Sequence, residues 1–136
     1  MQAFDIIIVG GGPGGTTAAQ ILARAGKSVA LVEKTHLGGT CLNCGCIPTK
    51  MLLGAVAPLA LLHAQQRTRV AKGDIAVDFT ALQTRVSRFT KGTSQTLGKN
   101  LGGLGVTVFE GRGEALAPGA IRVHADTGHT DLTAQH

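Results

Sequence analysis

A chain of 136 residues with 43% hydrophobic and 15% charged residues suits one modest core and excludes a disordered protein or a string of several domains. Twenty glycines and no Trp or Tyr leave Ile, Leu, Val and Ala to build that core. The formal charge of +5 is scattered from Arg24 to Arg122, dense only over Arg67–Lys72 and without interleaved aromatic residues, so no nucleic-acid partner is expected.

Met1–Val9 has no basic leader and carries Asp5, unlike a secretory signal. The apolar stretch Met51–Leu62 is interrupted by Gly54 and Pro58 and is too short to span a bilayer, so the expectation is a cytoplasmic chain with no membrane partner. All three cysteines lie between 41 and 46, which is no structural disulfide framework and points to redox chemistry or metal binding.

Phe4–Val9 is an apolar, mostly β-branched run, the pattern of a strand covered on both faces, and it leads into GGGPGG at 10–15. Thr16–Ala25 predicts a helix of small and aliphatic residues closed by Gly26, and Val29–Val32 a second strand ending at Glu33. Thr35–Gly45 reads as a loop. Ile47 to about Gln66 reads as a helix with Pro48 in its first turn and Pro58 kinking its middle.

A further helix places Phe79, Leu82, Val86, Phe89, Thr93 and Leu97 on one buried stripe, with Asp78 or one of its neighbours as its cap. Val106–Glu110, Glu114–Ala117 and Ile121–Ala125 read as short strands, and another begins near Leu132 and is still running at His136. The fold class is α/β: a Rossmann-like βαβ unit with a parallel sheet plus a small antiparallel β-meander, incomplete as a domain.

Gly10, Gly12 and Gly15 satisfy G-x-G-x-x-G between a strand and a helix, with Pro13 and Gly14 inside the motif. The first glycine permits a tight turn, the second lets backbone approach a pyrophosphate, and the third allows close helix packing. The helix start then offers unpaired N–H groups and a positive dipole end. Glu33, about 20 residues on, is placed to accept ribose hydroxyls; the competing reading is a plain glycine turn with an exposed acid.

Cys41 and Cys46 stand five apart in GGTCLNCGCIPTK, Gly38–Lys50. In a regular helix that is about 7.5 Å of rise, beyond the roughly 7 Å limit for disulfide Cα atoms. A Cys41–Cys46 bridge therefore requires a distorted turn, which Gly45 and Pro48 make easier. A helix-start position lowers thiol pKa values and favours the thiolate. Cys41, Cys44 and Cys46 as three legs of a zinc site, with His36 as the near fourth ligand, and inert burial of Cys44 remain open alternatives.

The stretch GGTCLN-x-GCIPTK resembles the FAD-dependent pyridine nucleotide-disulfide oxidoreductases, and Leu42, Ile47 and Thr49 favour their dihydrolipoyl branch over the NADPH-using glutathione and mercuric reductase branches. The resemblance continues through GTSQTLGKNLGGLGVTVFEGRG. It implies that Gly10, Gly12, Pro13, Gly14 and Gly15 meet the FAD pyrophosphate, with Gly39 and Thr40 beside it. Glu33 and the adjoining Lys34 fall at the adenosine, and Gly113 at the adenine.

The resemblance further implies Cys41 as the interchange thiol, Cys46 as the flavin-facing thiol and Lys50 near the reactive flavin edge, where a merely solvated lysine is the alternative. Cys44 departs from the pattern, which has a non-thiol there. By the same resemblance residues 1–136 are the amino-terminal part of the FAD-binding domain. The NAD-binding domain, the dimerisation domain of a homodimer and the acid-base pair acting on a dithiol or disulfide substrate such as a dihydrolipoyl group would lie outside it.

Overall fold

The computed structural model describes residues 1–136. In chain order it contains strands β1 (Gln2–Phe4) and β2 (Ile6–Val9), helix α1 (Pro13–Arg24), β3 (Val29–Glu33), and helices α2 (Gly39–Asn43), α3 (Cys46–Arg67) and α4 (Phe79–Gly103). Strands β4 (Thr107–Glu110), β5 (Arg112–Ala117), β6 (Ala120–Ala125) and β7 (Gly128–Ala134) follow. One sheet, β2-β3-β4, is wholly parallel; the other has the order β1-β7-β6-β5, an antiparallel meander with β1 added in parallel. This is the Rossmann-like α/β arrangement, parallel βαβ unit plus antiparallel meander, that the motif order predicts.

The centre is β3, whose apolar run is continuous because both of its faces are covered. Val29 and Leu31 pack with Ala19 of α1, with Leu101 near the end of α4 and with Val106 just before β4. Ala30 and Val32 point the other way, against Val123 and Leu132 of the meander. The two-residue period of a strand thus feeds two cores from one segment. Fully burying a side chain such as Leu31 is worth about 1.5–3 kcal/mol.

Both helices that cover the sheet stop in the same way. After α1, Gly26 has φ +80°, its N–H donates to Ala23 O and Lys27 N–H to Leu22 O. After α4, Gly105 has φ +84°, its N–H donates to Gly102 O and Val106 N–H to Leu101 O. These are Schellman closures, where a left-handed glycine satisfies the last carbonyls and turns the chain into the next strand. Asp78 caps α4 as expected, its carboxylate accepting from Ala81 N–H at 2.8 Å.

Five sequence expectations need correction. The single strand over Phe4–Val9 is two strands, parted at Asp5, whose carboxylate accepts from both the N–H and the hydroxyl of Ser28 at 2.8 Å. That clip holds the chain while it changes partner, from β7 to β3. The expected loop 35–45 contains α2. On α4, Phe79 and Phe89 are half exposed and Thr90 is buried, so the stripe runs one residue over from Phe89. The last strand starts at Gly128 and ends at Ala134, after which the His136 carbonyl accepts from Ile7 N–H.

The fifth concerns α3, which runs unbroken through Gly54 and Pro58 for 22 residues. Residues 39–67 are, by length and composition, long and apolar enough to cross a bilayer, with a mean hydropathy of 1.6 over 18 residues, none of them buried. The expectation of a stretch too short to span rested on reading Gly54 and Pro58 as interruptions.

Candidate functional site

The glycine turn closes the carboxyl end of β2. Gly10 adopts φ +108°, reserved in practice for glycine, and its N–H donates to Val32 O at 2.8 Å. A side chain at Gly15 would drive into the Gly10 carbonyl, so α1 can sit this close only with glycine there. Side chains at Gly12 and Gly14, by contrast, would meet no protein atom within 4 Å. The space over that turn is open on the side where a phosphate would lie.

The start of α1 is open as well. Its first intrahelical bond is Thr16 N–H to Gly12 O at 2.9 Å, leaving the N–H groups of Gly14 and Gly15 without intrahelical acceptors. Pro13 at the first position has no N–H to waste, and no acidic side chain occupies the first turn. A pyrophosphate therefore fits this end chemically: free donors, a positive dipole and a cradle that a Cβ would fill.

Gly38 and Gly39 dock onto the same turn. Gly38 N–H donates to Gly11 O at 2.7 Å, and a Cβ on Gly39 (φ +58°) would lie 2.9 Å from the Gly12 Cα. The two glycine segments make one continuous floor, and the cysteine loop begins on it.

Glu33 stands at the end of β3 as expected, but its carboxylate is already engaged. Oε2 accepts from Gly11 N–H at 2.7 Å, while Oε1 accepts from the N–H of Thr35 at 2.9 Å and its hydroxyl at 3.0 Å. Partial burial pushes its pKa up, yet donors from Thr35, Gly11 and Lys34 outweigh burial and hold it below the ordinary 4.5. Two donors fill Oε1, so Oε2 keeps the remaining capacity for a ligand hydroxyl. Lys34 is exposed and, with Thr35, Arg112, His124 and Asp126, lines a polar cleft of about 690 Å³. Gly113 pairs with Val123 and leaves room for Val9, whose Cγ1 would be 3.0 Å from a Cβ there.

Between α2 and α3 the helical path breaks, and this is what brings Cys41 and Cys46 together. Cys44 N–H closes α2 on Thr40 O at 3.0 Å, and Thr49 N–H opens α3 on Gly45 O at 3.1 Å. A Cβ on Gly45 would lie 2.9 Å from Thr40 O and 3.5 Å from the Cys41 Cα, so the reversal is that tight. Asn43 secures it: its side-chain N–H groups donate to Gly39 O at 2.9 Å and Leu37 O at 3.1 Å.

All three cysteines are free thiols, Cys41 half-buried and Cys44 and Cys46 exposed. The Cys41 pKa is raised, against the expected depression. Hydrogen bonding with the Cys46 side chain is the largest cause, followed by burial and the charge of Cys46; the Cys46 backbone N–H and the Lys50 ammonium pull the other way. The neighbouring sulfur and burial together outweigh the Cys46 backbone donor and the Lys50 charge. Thr40 is exposed beside this loop. No three His, Cys, Asp or Glu side chains are grouped closely enough to hold a metal ion.

Sequence reasoning passes over Gly11, Thr35, Gly38 and Asn43. Gly38 carries a signal, being the first of a diglycine next to the cysteines. Asn43 carries another, as a local capping residue type at a helix end. Thr35 and Gly11 are functional only through Glu33, which spacing does not reveal.

The family model for pyridine nucleotide-disulphide oxidoreductases matches residues 4–121. Dihydrolipoyl dehydrogenase of Chlamydia trachomatis is 37% identical over 123 residues, covering 90% of this chain and 26% of that protein. The Bacillus subtilis enzyme of the same name is 36% identical over 131 residues, covering 92% and 28%. Among solved structures, the Cu(II) complex of the HOCl-induced flavoprotein disulfide reductase RclA from Escherichia coli superposes with a TM-score of 0.77 at 30% identity, covering 98% of this chain and 27% of that one. The chain thus spans about a quarter of the length of the relatives it matches.

Proposed function

Since the chain belongs to the pyridine nucleotide-disulphide oxidoreductase family, we propose that it is the FAD-holding, redox-disulfide part of a dihydrolipoyl dehydrogenase-like flavoprotein. The observation that carries this reading is the shared floor: the open helix start at Gly12–Gly15 and the loop bearing Cys41 and Cys46 meet at the Gly12–Gly39 contact. A ligand whose phosphates lie on that floor reaches the thiols with its far end.

In this reading Gly10, Gly12, Pro13, Gly14 and Gly15, with Gly39 and Thr40, cradle the pyrophosphate. Glu33 Oε2 accepts a ribose hydroxyl, Lys34 borders the adenosine and Gly113 gives the adenine a flat backbone neighbour. When bound, FAD supplies a two-electron acceptor. In the disulfide state, a substrate thiolate attacks Cys41 Sγ and frees Cys46 as a thiolate. The second substrate thiolate then displaces Cys41, leaving both cysteines reduced and the substrate oxidised. Lys50 steadies the thiolate charge.

The onward acceptor is NAD, bound by a further domain, and the working form is a homodimer acting on a dihydrolipoyl dithiol. Residues 1–136 are the first part of the flavin domain and are silent in turnover alone. A cytoplasmic setting suits a disulfide that is transient and catalytic rather than structural. The test is NAD-dependent oxidation of dihydrolipoamide by the protein carrying all the family's domains. Cys41→Ser should cost at least about 1,000-fold in turnover while flavin stays bound. Undiminished turnover in Cys41→Ser would sink the reading.

A further inference from the structure

A cavity of about 500 Å³ opens between the redox loop and α4, and it shares no residue with the glycine floor or with the cysteines. Its size falls in the range of small-molecule sites, roughly 300–1,000 Å³. Pro48 and Leu52, one turn apart on α3, supply one apolar wall. Phe79 and Val86, on one face of α4, supply the other. Phe79 is 58% exposed, an aromatic side chain that the chain itself leaves more than half uncovered. Beside that apolar pair, Gln83, Ser87 and Lys91 follow at steps of four and make a polar row.

Charge decides what such a cavity takes. No Asp or Glu lines it, and Lys91 does. Helix α4 carries Arg85, Arg88, Lys91 and Lys99 and no acidic residue, and no ion pair holds any of the four. Arg85, Arg88 and Lys91 repel one another at three-residue spacing, so the field along this wall is positive and uncompensated. Asn43, whose side chain ties the Cys41–Cys46 reversal to the Leu37 and Gly39 carbonyls, lines the same cavity. An occupant therefore touches the redox loop without replacing anything on the glycine floor.

We propose that this cavity binds a small organic anion with an apolar body, its acid group on Lys91 and its body between Leu52 and Phe79. Nothing in this recognition needs a flavin or a disulfide.

Titrating the full chain with 4-phenylbutyrate, followed by calorimetry and amide NMR, tests the site. Saturable binding with a Kd of about 1 mM or tighter is expected for a ligand of this size, with the side-chain amides of Asn43 and Gln83 among the shifted signals. Acetate, which lacks the body, and 4-phenylbutanamide, which lacks the charge, should each bind at least about fivefold more weakly. Lys91→Gln and Phe79→Ala should each weaken 4-phenylbutyrate at least about fivefold. Both positions are exposed, so neither change threatens the fold. Lys99→Gln, with the same charge removed outside the cavity, should bind as the unaltered chain does. No saturation below about 10 mM, equal affinity for the amide, undiminished binding in Lys91→Gln, or an equal loss in Lys99→Gln overturns the proposal.

Discussion

The parallel sheet and the α3 arm are built from equally apolar sequence and end in opposite states. β3 has four of its five residues buried, whereas the 22-residue α3 has none. The difference lies in what each face meets within residues 1–136. Every side of β3 finds a partner on α1, α4 or the meander, while α3 is apolar around much of its circumference and meets only α2 and α4 over part of its length. Apolar composition alone therefore does not make a core; a second surface must be present.

The largest break in that comparison comes from truncating each region equally. Leu31→Ala should cost about 2–5 kcal/mol, whereas Leu61→Ala, at a position 71% exposed, should cost less than about 0.5 kcal/mol. Urea unfolding of both variants measures the contrast. Equal losses would mean that α3 is buried by self-association.

Next in size is Gly15→Ala, which forces a methyl into the Gly10 carbonyl and should cost about 1–3 kcal/mol. Gly54→Ala, in open space on α3, should instead stabilise by about 0.5–1 kcal/mol. A smaller effect belongs to Asn43→Ala. Losing its bonds to the Gly39 and Leu37 carbonyls should cost about 1 kcal/mol and speed thiol labelling at Cys41 in a stopped-flow assay.

The smallest is a pH effect. Glu33 is partly buried, but its hydrogen bonds hold its pKa below 4.5, so its contribution is complete above the unfolded carboxylate value and is lost as pH falls through the folded one. The stability of the unaltered chain should fall more steeply than that of Glu33→Gln below about pH 4.5. Parallel denaturation curves for the two would show that Glu33 contributes nothing.

Much of this was legible in advance where the information resides in the backbone. Gly10 and Gly15 announce a turn because few other residues fit there, and Gly26, at φ +80°, announces a helix end for a like reason. Side-chain environment was less legible. A three-and-four step admits Phe89 and Thr90 about equally, and only the docking of α4 against its neighbouring elements selects Thr90. The Asp5 break depends on Ser28, a partner across the sheet that no local pattern names. The raised Cys41 pKa depends on Cys46, which a regular helix would have held too far away.

The strand interrupted at Asp5 has a consequence for how the chain reaches this state. Ile6 pairs with Val29 across one intervening helix, but Gln2, four residues earlier, pairs with Leu132 almost a whole chain away. Closing the longer loop costs about 1.5 kcal/mol more in chain entropy. Adjacent halves of one segment are therefore expected to be recruited at different times: β2 zips early into the βαβ unit, and β1 waits until the meander has been assembled. Pulsed hydrogen exchange during refolding should protect the amides of Ile6 and Gly10, which donate to Ser28 O and Val32 O, before the Ile7 amide, which donates to His136 O, with Asp5 as the seam between the two events.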